Sequence, residues 1–193
     1  TLAGVMAMGR EKEGDFREIF NRVQNPARLA LAAFFHDIGK GGSDHAAKGA
    51  SMAQDILSRF GLDRESADEV AFLVTHHLLL PVAAARVDLG DETQVGRLAV
   101  TVGSAQRLDM LYLLSVADSR ATGPKAWNEW TASLMAELHL KLHHLLSEGP
   151  LARPQTAQRV VAARDKVRAL AGKAAPDLAP DFVEATLSHM PQR

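Results

Sequence analysis

The sequence predicts an all-α fold, with helices packed on helices and extra helices at the C-terminal end. Three observations predict it. Of 193 residues, 47% are hydrophobic but only 5% aromatic, so Ala and Leu must build most of the core. Apolar side chains recur at helical spacing, as in Phe16, Ile19, Phe20 and Val23. No segment shows a strand signal, an internal repeat or low complexity. The length suits one domain, or one domain plus an appendage. Glu148-Gly149-Pro150 marks the joint between residues 1–149 and a C-terminal extension, 150–193.

Residues 1–24 are helix-compatible but interrupted by Gly4, Gly9 and Gly14, and Asp15–Val23 is the cleaner part. Asn25 and Pro26 read as the N-cap and first position of the next helix. That helix, Pro26 to about Ile38, is apolar around most of its circumference and should lie in the core. Gly39 can end it in a left-handed conformation. Ser43 or Asp44 can cap a helix to Phe60, stopped by Gly61. Asp63 caps another to about Leu80, stopped by Pro81. A polar link, 88–92, leads to a short helix ending at Val102. A strongly apolar helix runs from Ala105 to Ala121. Thr122-Gly123-Pro124 breaks it and begins a long helix to about Leu146. Beyond the joint, an Ala-rich basic helix (154–172), a Pro/Ala linker (171–180) and a short helix after Pro180 are expected. The chain opens inside a helical pattern without Met, as expected of a segment from a longer polypeptide.

A formal net charge of −1 gives no footprint for nucleic acid or for an anionic membrane. No apolar run approaches the roughly 20 residues of a membrane span, and no signal peptide is visible. The absence of cysteine excludes disulfides and thiolate ligands and suits a cytoplasmic setting. There is no Gly-rich dinucleotide fingerprint, P-loop or G-x-S-x-G elbow, which leaves metal-assisted hydrolysis as the main chemical option.

The stretch Ala27–His45, ARLALAAFFHDIGKGGSDH, is the centre of that option. It places His36-Asp37 at the end of a wholly apolar helix, then Lys40 in a glycine-rich loop, then Asp44-His45. An unpaired buried carboxylate costs several kcal/mol, and a bound cation offsets that cost. His76-His77 and Asp118 also fall at the ends of apolar segments. Imidazole with carboxylate suits Fe, Mn or Zn, and carboxylates with water also hold Mg.

Each residue alone has a plainer reading. His36 could be a core histidine bonded to a carbonyl, Asp37 a partner of Lys40, and Asp44 a helix cap. His45 could be a surface residue, His76-His77 C-terminal cations, and Asp118 a partner of Arg120 or Arg97. Six such accounts in these apolar settings are jointly improbable. Lys40 could add charge at a phosphate. Arg120 and Thr122, just beyond Asp118, could bind substrate oxygens or serve the helix end. His139 and His143 have chelating i,i+4 spacing but no catalytic carboxylate, which reads as a partly exposed face. Leu108, Leu111, Tyr112, Leu114 and Leu142 read as core. Trp127 and Trp130 read as packing residues that could line a pocket.

With LALAAFFHDIGKGG-SDH, THHLLL and RLDMLYLLSVADSRATGPKAWNEW on the page, the chain resembles the HD superfamily of metal-dependent phosphohydrolases. More narrowly, it is similar to the HD domain of bacterial PII uridylyltransferase/uridylyl-removing enzymes. The likeness covers roughly Thr1 to Leu146, and the closing HMPQR resembles the link toward regulatory domains. It implies an HD-domain helical bundle over residues 1–149. It also implies a phosphodiesterase that removes UMP from a tyrosine of the uridylylated PII signalling protein. In such enzymes a separate nucleotidyltransferase domain attaches the UMP and ACT domains sense glutamine; neither is in this sequence.

Carried over residue by residue, the resemblance makes His36, Asp37 and Asp118 ligands of one divalent ion (Mn, Mg, Fe or Zn). Asp37 would bridge to a second ion held by His45, His76 and His77. A further family histidine aligns just before Thr1. The loop Gly39–Asp44 is one residue shorter than the family pattern and lacks its arginine. Two other readings remain open: an HD hydrolase of a free nucleotide, and a catalytically silent relay module.

Overall fold

A computed structural model describes residues 1–41 and 45–147. The expected cap at Ser43 or Asp44, the joint at 148–150 and the C-terminal helices lie outside the described residues.

Among the described residues the structure is helical, with no strand. The helices are α1 (Leu2–Met8), α2 (Asp15–Arg22), α3 (Pro26–Phe35), α4 (His45–Arg59), α5 (Arg64–His76), α6 (Leu79–Arg86), α7 (Glu92–Val102), α8 (Ala105–Thr122) and α9 (Glu129–Ser147). Their starts follow from capping chemistry. Asp63 accepts from the Ser66 amide at 2.8 Å, Asp91 from the Thr93 amide at 2.9 Å, and Ser104 from the Arg107 amide at 3.2 Å. Each supplies an acceptor that the first helical turn lacks. Asn25 stands at the N-cap of α3 as expected, but its side chain makes no capping bond. Its carbonyl takes the Arg28 amide at 3.1 Å.

α8 is the axis of the bundle. It packs against α1, α2, α3, α5, α6, α7 and α9. Leu108, Leu111, Leu113 and Leu114 on it are wholly buried, as are Leu138 and Leu142 of α9. Each such leucine contributes about 1.5–3 kcal/mol of transfer free energy. The expected core residues on α8 and α9, Tyr112 included, are therefore in the core. Trp127 packs partly buried against it, whereas Trp130 is exposed.

α9 begins at Glu129 rather than directly at the Thr122-Gly123-Pro124 break, and three further features differ from the expectations above. α3 ends at Phe35, and residues 36–41 form tight turns in which the Ile38 amide bonds the Phe35 carbonyl and the Lys40 amide the Asp37 carbonyl. Gly39 is not left-handed; Gly41 is, at φ 117°. Gly39 is needed instead for close approach. A Cβ there would strike the His45 carbonyl oxygen and lie 2.6 Å from the Gly49 nitrogen on α4.

The second difference lies at Pro81. It is not placed at the end of a helix but in the first turn of α6, where a missing N–H is harmless. α5 ends four residues earlier because Pro81 has no amide to give the His77 carbonyl. The third difference concerns membranes. By length and apolar composition alone, the stretch Arg64–Arg86 would suffice to cross one, contrary to the sequence expectation. Half of its apolar window is buried inside the bundle, and the turn at His77-Leu78 divides it.

Candidate metal centre

The tight turns after α3 aim His36 and Asp37 toward the ends of α5 and α8. His36 is buried, and its Nδ1–H donates to the Ala33 carbonyl at 3.0 Å. That bond commits Nδ1 and turns Nε2 to Asp118 Oδ1, 3.1 Å away. Asp118 stands in the last turns of α8, and Thr1 donates to the same oxygen at 3.1 Å. Asp37 Oδ2 lies 3.6 Å from His36 Nε2 and accepts from Lys40 Nζ at 2.8 Å.

His77, 2% exposed, follows α5 directly. Its Nδ1–H donates to the Val74 carbonyl at 2.7 Å. The His36 ring meets it edge to face at 5.6 Å, and the His45 ring, from the first residue of α4, at 6.0 Å. Candidate ligand atoms of Asp37, His45 and His77 all lie within 4.8 Å of one another.

The hydrogen bond to Asp118 holds the His36 pKa above its usual value against burial, and the same bond depresses Asp118. Burial tends to raise Asp37, but the Lys40 hydrogen bond and the charge of His36 outweigh it, so its pKa is lowered. Burial pushes His77 down, which favours the neutral imidazole that binds metals. The donor set fits a divalent ion. It combines imidazole nitrogens with carboxylate oxygens, and the two buried histidines carry the Nδ1-to-carbonyl bond that orients ligating imidazoles.

The structure thus gathers His36, Asp37, His45, His77 and Asp118 from four places in the chain. It does not bring His76 to them. Adjacent residues on a helix point about 100° apart, and the His76 ring lies 4.5 Å from Phe72. Burial and then the charge of Arg107 lower its pKa. Asp118 pairs with His36, not with Arg120 or Arg97. Lys40 reaches Asp37 with its side chain 74% exposed.

The guanidinium of Arg120 lies over the rings of Phe16 at 4.5 Å and Trp127 at 5.4 Å. Thr122 donates its hydroxyl to the Asp118 carbonyl at 3.0 Å. His139 is not on an exposed face: it is buried and bonds Asp109 at 2.8 Å. Asp109 was legible as a charge inside an apolar run, the same signal that singled out His36-Asp37. Thr1 gave no signal at all.

The sequence of the HD domain family matches residues 3–121 of this chain. The chain belongs to the HD-domain family. With the gathered histidines and carboxylates, membership supports a metal-dependent phosphohydrolase. A bifunctional uridylyltransferase/uridylyl-removing enzyme of Nitrosococcus oceani is 44% identical over 133 residues, 68% of this chain and 15% of that protein. One of the same name from Gluconobacter oxydans is 45% identical over 141 residues, 72% of this chain and 15% of its own length. One from Erythrobacter litoralis is 39% identical over 170 residues, 87% and 18% respectively. The chain spans less than a fifth of the length of these relatives.

Proposed function

We propose that this HD domain hydrolyses the phosphodiester joining UMP to a tyrosine of the PII signalling protein, the uridylyl-removing half of its relatives' name. The observation that supports this most is the convergence of Asp37, His45 and His77 beside the His36–Asp118 pair. His36, Asp37 and Asp118 would hold one divalent ion. Asp37, His45 and His77 would hold a second, with His76 reaching it only if its ring leaves Phe72. Such an ion supplies a Lewis acid that polarises phosphoryl oxygens and acidifies a water.

The protein's own groups do the rest. The Ala33 and Val74 carbonyls hold the His36 and His77 rings so that Nε2 faces the reacting centre. Water oxygen bonds to phosphorus as the bond to the phenolic oxygen breaks. The departing phenolate, ordinarily of pKa about 10, takes up a proton. Lys40, exposed beside Asp37, adds positive charge where the non-bridging oxygens carry negative charge. Arg120 makes no ion pair among the described residues, and with Thr122 it is a proposed contact to outer substrate oxygens.

The test is release of UMP from uridylylated PII by the chain supplied with Mn²⁺, compared with turnover of free nucleoside monophosphates. The proposal expects release from the modified protein and its loss in Asp37→Ala. Equal release by Asp37→Ala would overturn it, and preferential turnover of the free nucleotides would reassign the substrate.

A further inference from the structure

Four helical hydroxyls among the described residues bond back to a carbonyl of their own helix. Ser58 bonds the Gln54 carbonyl, Thr75 that of Ala71, Thr101 that of Arg97 and Thr122 that of Asp118. Ser115, 1% exposed in the middle of α8, does not. Its hydroxyl crosses to the end of α5 and donates to the His77 carbonyl at 2.9 Å.

That carbonyl has a specific need. His77 is buried, and a buried backbone acceptor must find a donor. In a continuous helix the donor would be the amide four residues on, but that residue is Pro81, which has none. The chain turns at His77-Leu78, and the Ser115 hydroxyl takes the amide's place. His77 is thereby pinned at two points, its ring by Val74 and its backbone by Ser115. Ser115 lies three residues before Asp118, on the same face of α8.

We infer that Ser115 is a positioning residue of the metal centre. It stands in for the amide that Pro81 lacks and holds His77 in register with Asp118, so that ligands from two helices meet one ion. This rests on the metal-centre reading above. It concerns a residue that touches the His77 backbone and no ligand atom.

The experiment measures Mn²⁺ affinity of the full 193-residue chain by calorimetry, with the metal-free Tm alongside. Three proteins are compared: the parent, Ser115→Ala and Leu142→Ala. Leu142 is wholly buried on α9, so its truncation reports what general loosening of the bundle does. The expected result is about a tenfold loss of affinity in Ser115→Ala, the range seen when a group behind a ligand is removed. Leu142→Ala should lower Tm and keep parental affinity.

Parental affinity in Ser115→Ala would overturn the inference, as would equal losses in both variants. A parent that binds no Mn²⁺ would instead overturn the metal centre itself. If Ser115→Ala does not fold, Ser115→Cys, similar in volume but a much weaker donor, replaces it under the same two outcomes.

Discussion

The two halves of α8 each carry an aspartate facing a histidine, and they serve opposite ends. Asp109, 3% exposed, accepts from Arg22 Nε at 2.9 Å and Nη2 at 3.2 Å and from His139 Nε2 at 2.8 Å. Tyr112 stacks on His139 at 4.4 Å. A permanent cation and a full set of donors close that cluster, and it ties α2 and α9 to α8. Among the described residues, Asp118 has only the titratable His36 and a threonine hydroxyl as hydrogen-bond partners. Asp37, His45 and His77 gather beside it, and Asp37 is met only by the exposed ammonium of Lys40 and the His36 ring among the described residues. The presence or absence of a fixed guanidinium separates a structural lock from a place that calls for an exogenous cation.

Substitutions at the two ends should therefore fail in different ways. The largest expected effect is at the open end. Asp37→Ala should reduce metal-dependent hydrolysis about a thousandfold or more, since a Lewis acid supplies several kcal/mol of barrier lowering, while circular dichroism stays helical. A variant with parental turnover would erase the distinction between the ends.

At the closed end the effect should fall on stability. Asp109→Ala strands Arg22 and His139. It should cost about 3 kcal/mol in urea unfolding, below the extreme for a wholly buried pair because Arg22 is partly solvated. Mn²⁺ affinity of the folded fraction should be unchanged, and a selective loss of affinity would join the two clusters into one.

Next comes the loop between them and α4. Gly39→Ala must push residues 36–41 off α4, because its Cβ meets backbone atoms rather than a flexible side chain. About 1–3 kcal/mol of stability should be lost, and Mn²⁺ affinity with it, as Asp37 moves from His45. Unchanged affinity would show that the loop does not set that spacing.

The closed end also predicts an acid limb. Burial tends to raise the Asp109 carboxyl, yet the hydrogen bonds from His139 and Arg22 hold its pKa below the ordinary 3.8. A group with a depressed folded pKa contributes stability that is present above its unfolded value and lost as pH falls through the folded one. Metal-free unfolding curves should show a loss below pH 3.8 that is shallower in Asp109→Asn. Identical limbs would mean that Asp109 is not a stabilising charge. The smallest effect belongs to Lys40→Ala. An exposed cation is heavily screened, so a change of a few-fold in KM for the modified protein, with no change in Tm, is expected.

Much of this was legible from residue order. The all-helical architecture, the cap at Asp63, the helix start at Asn25-Pro26, the core face of α8 and the site candidates His36, Asp37, His45, His77 and Asp118 are local signals. A capping side chain, a 3.6-residue period or a charge in an apolar run shows in a short window. What stayed hidden depends on residues far apart in sequence. That His139 is buried against Asp109 and Arg22, that His76 turns to Phe72 while its neighbour enters the site, and that Gly39 is needed for contact with α4 all follow from how helices cross. The role of Pro81 lay between the two. Its missing amide is written in the sequence, but only the packing of α8 against α5 supplied Ser115 in its place. By itself the sequence determined helices and a set of candidate ligand side chains, because backbone and side-chain chemistry act locally. Tertiary structure decided which of those side chains meet, because a meeting point is set by the crossing of elements that no single window contains.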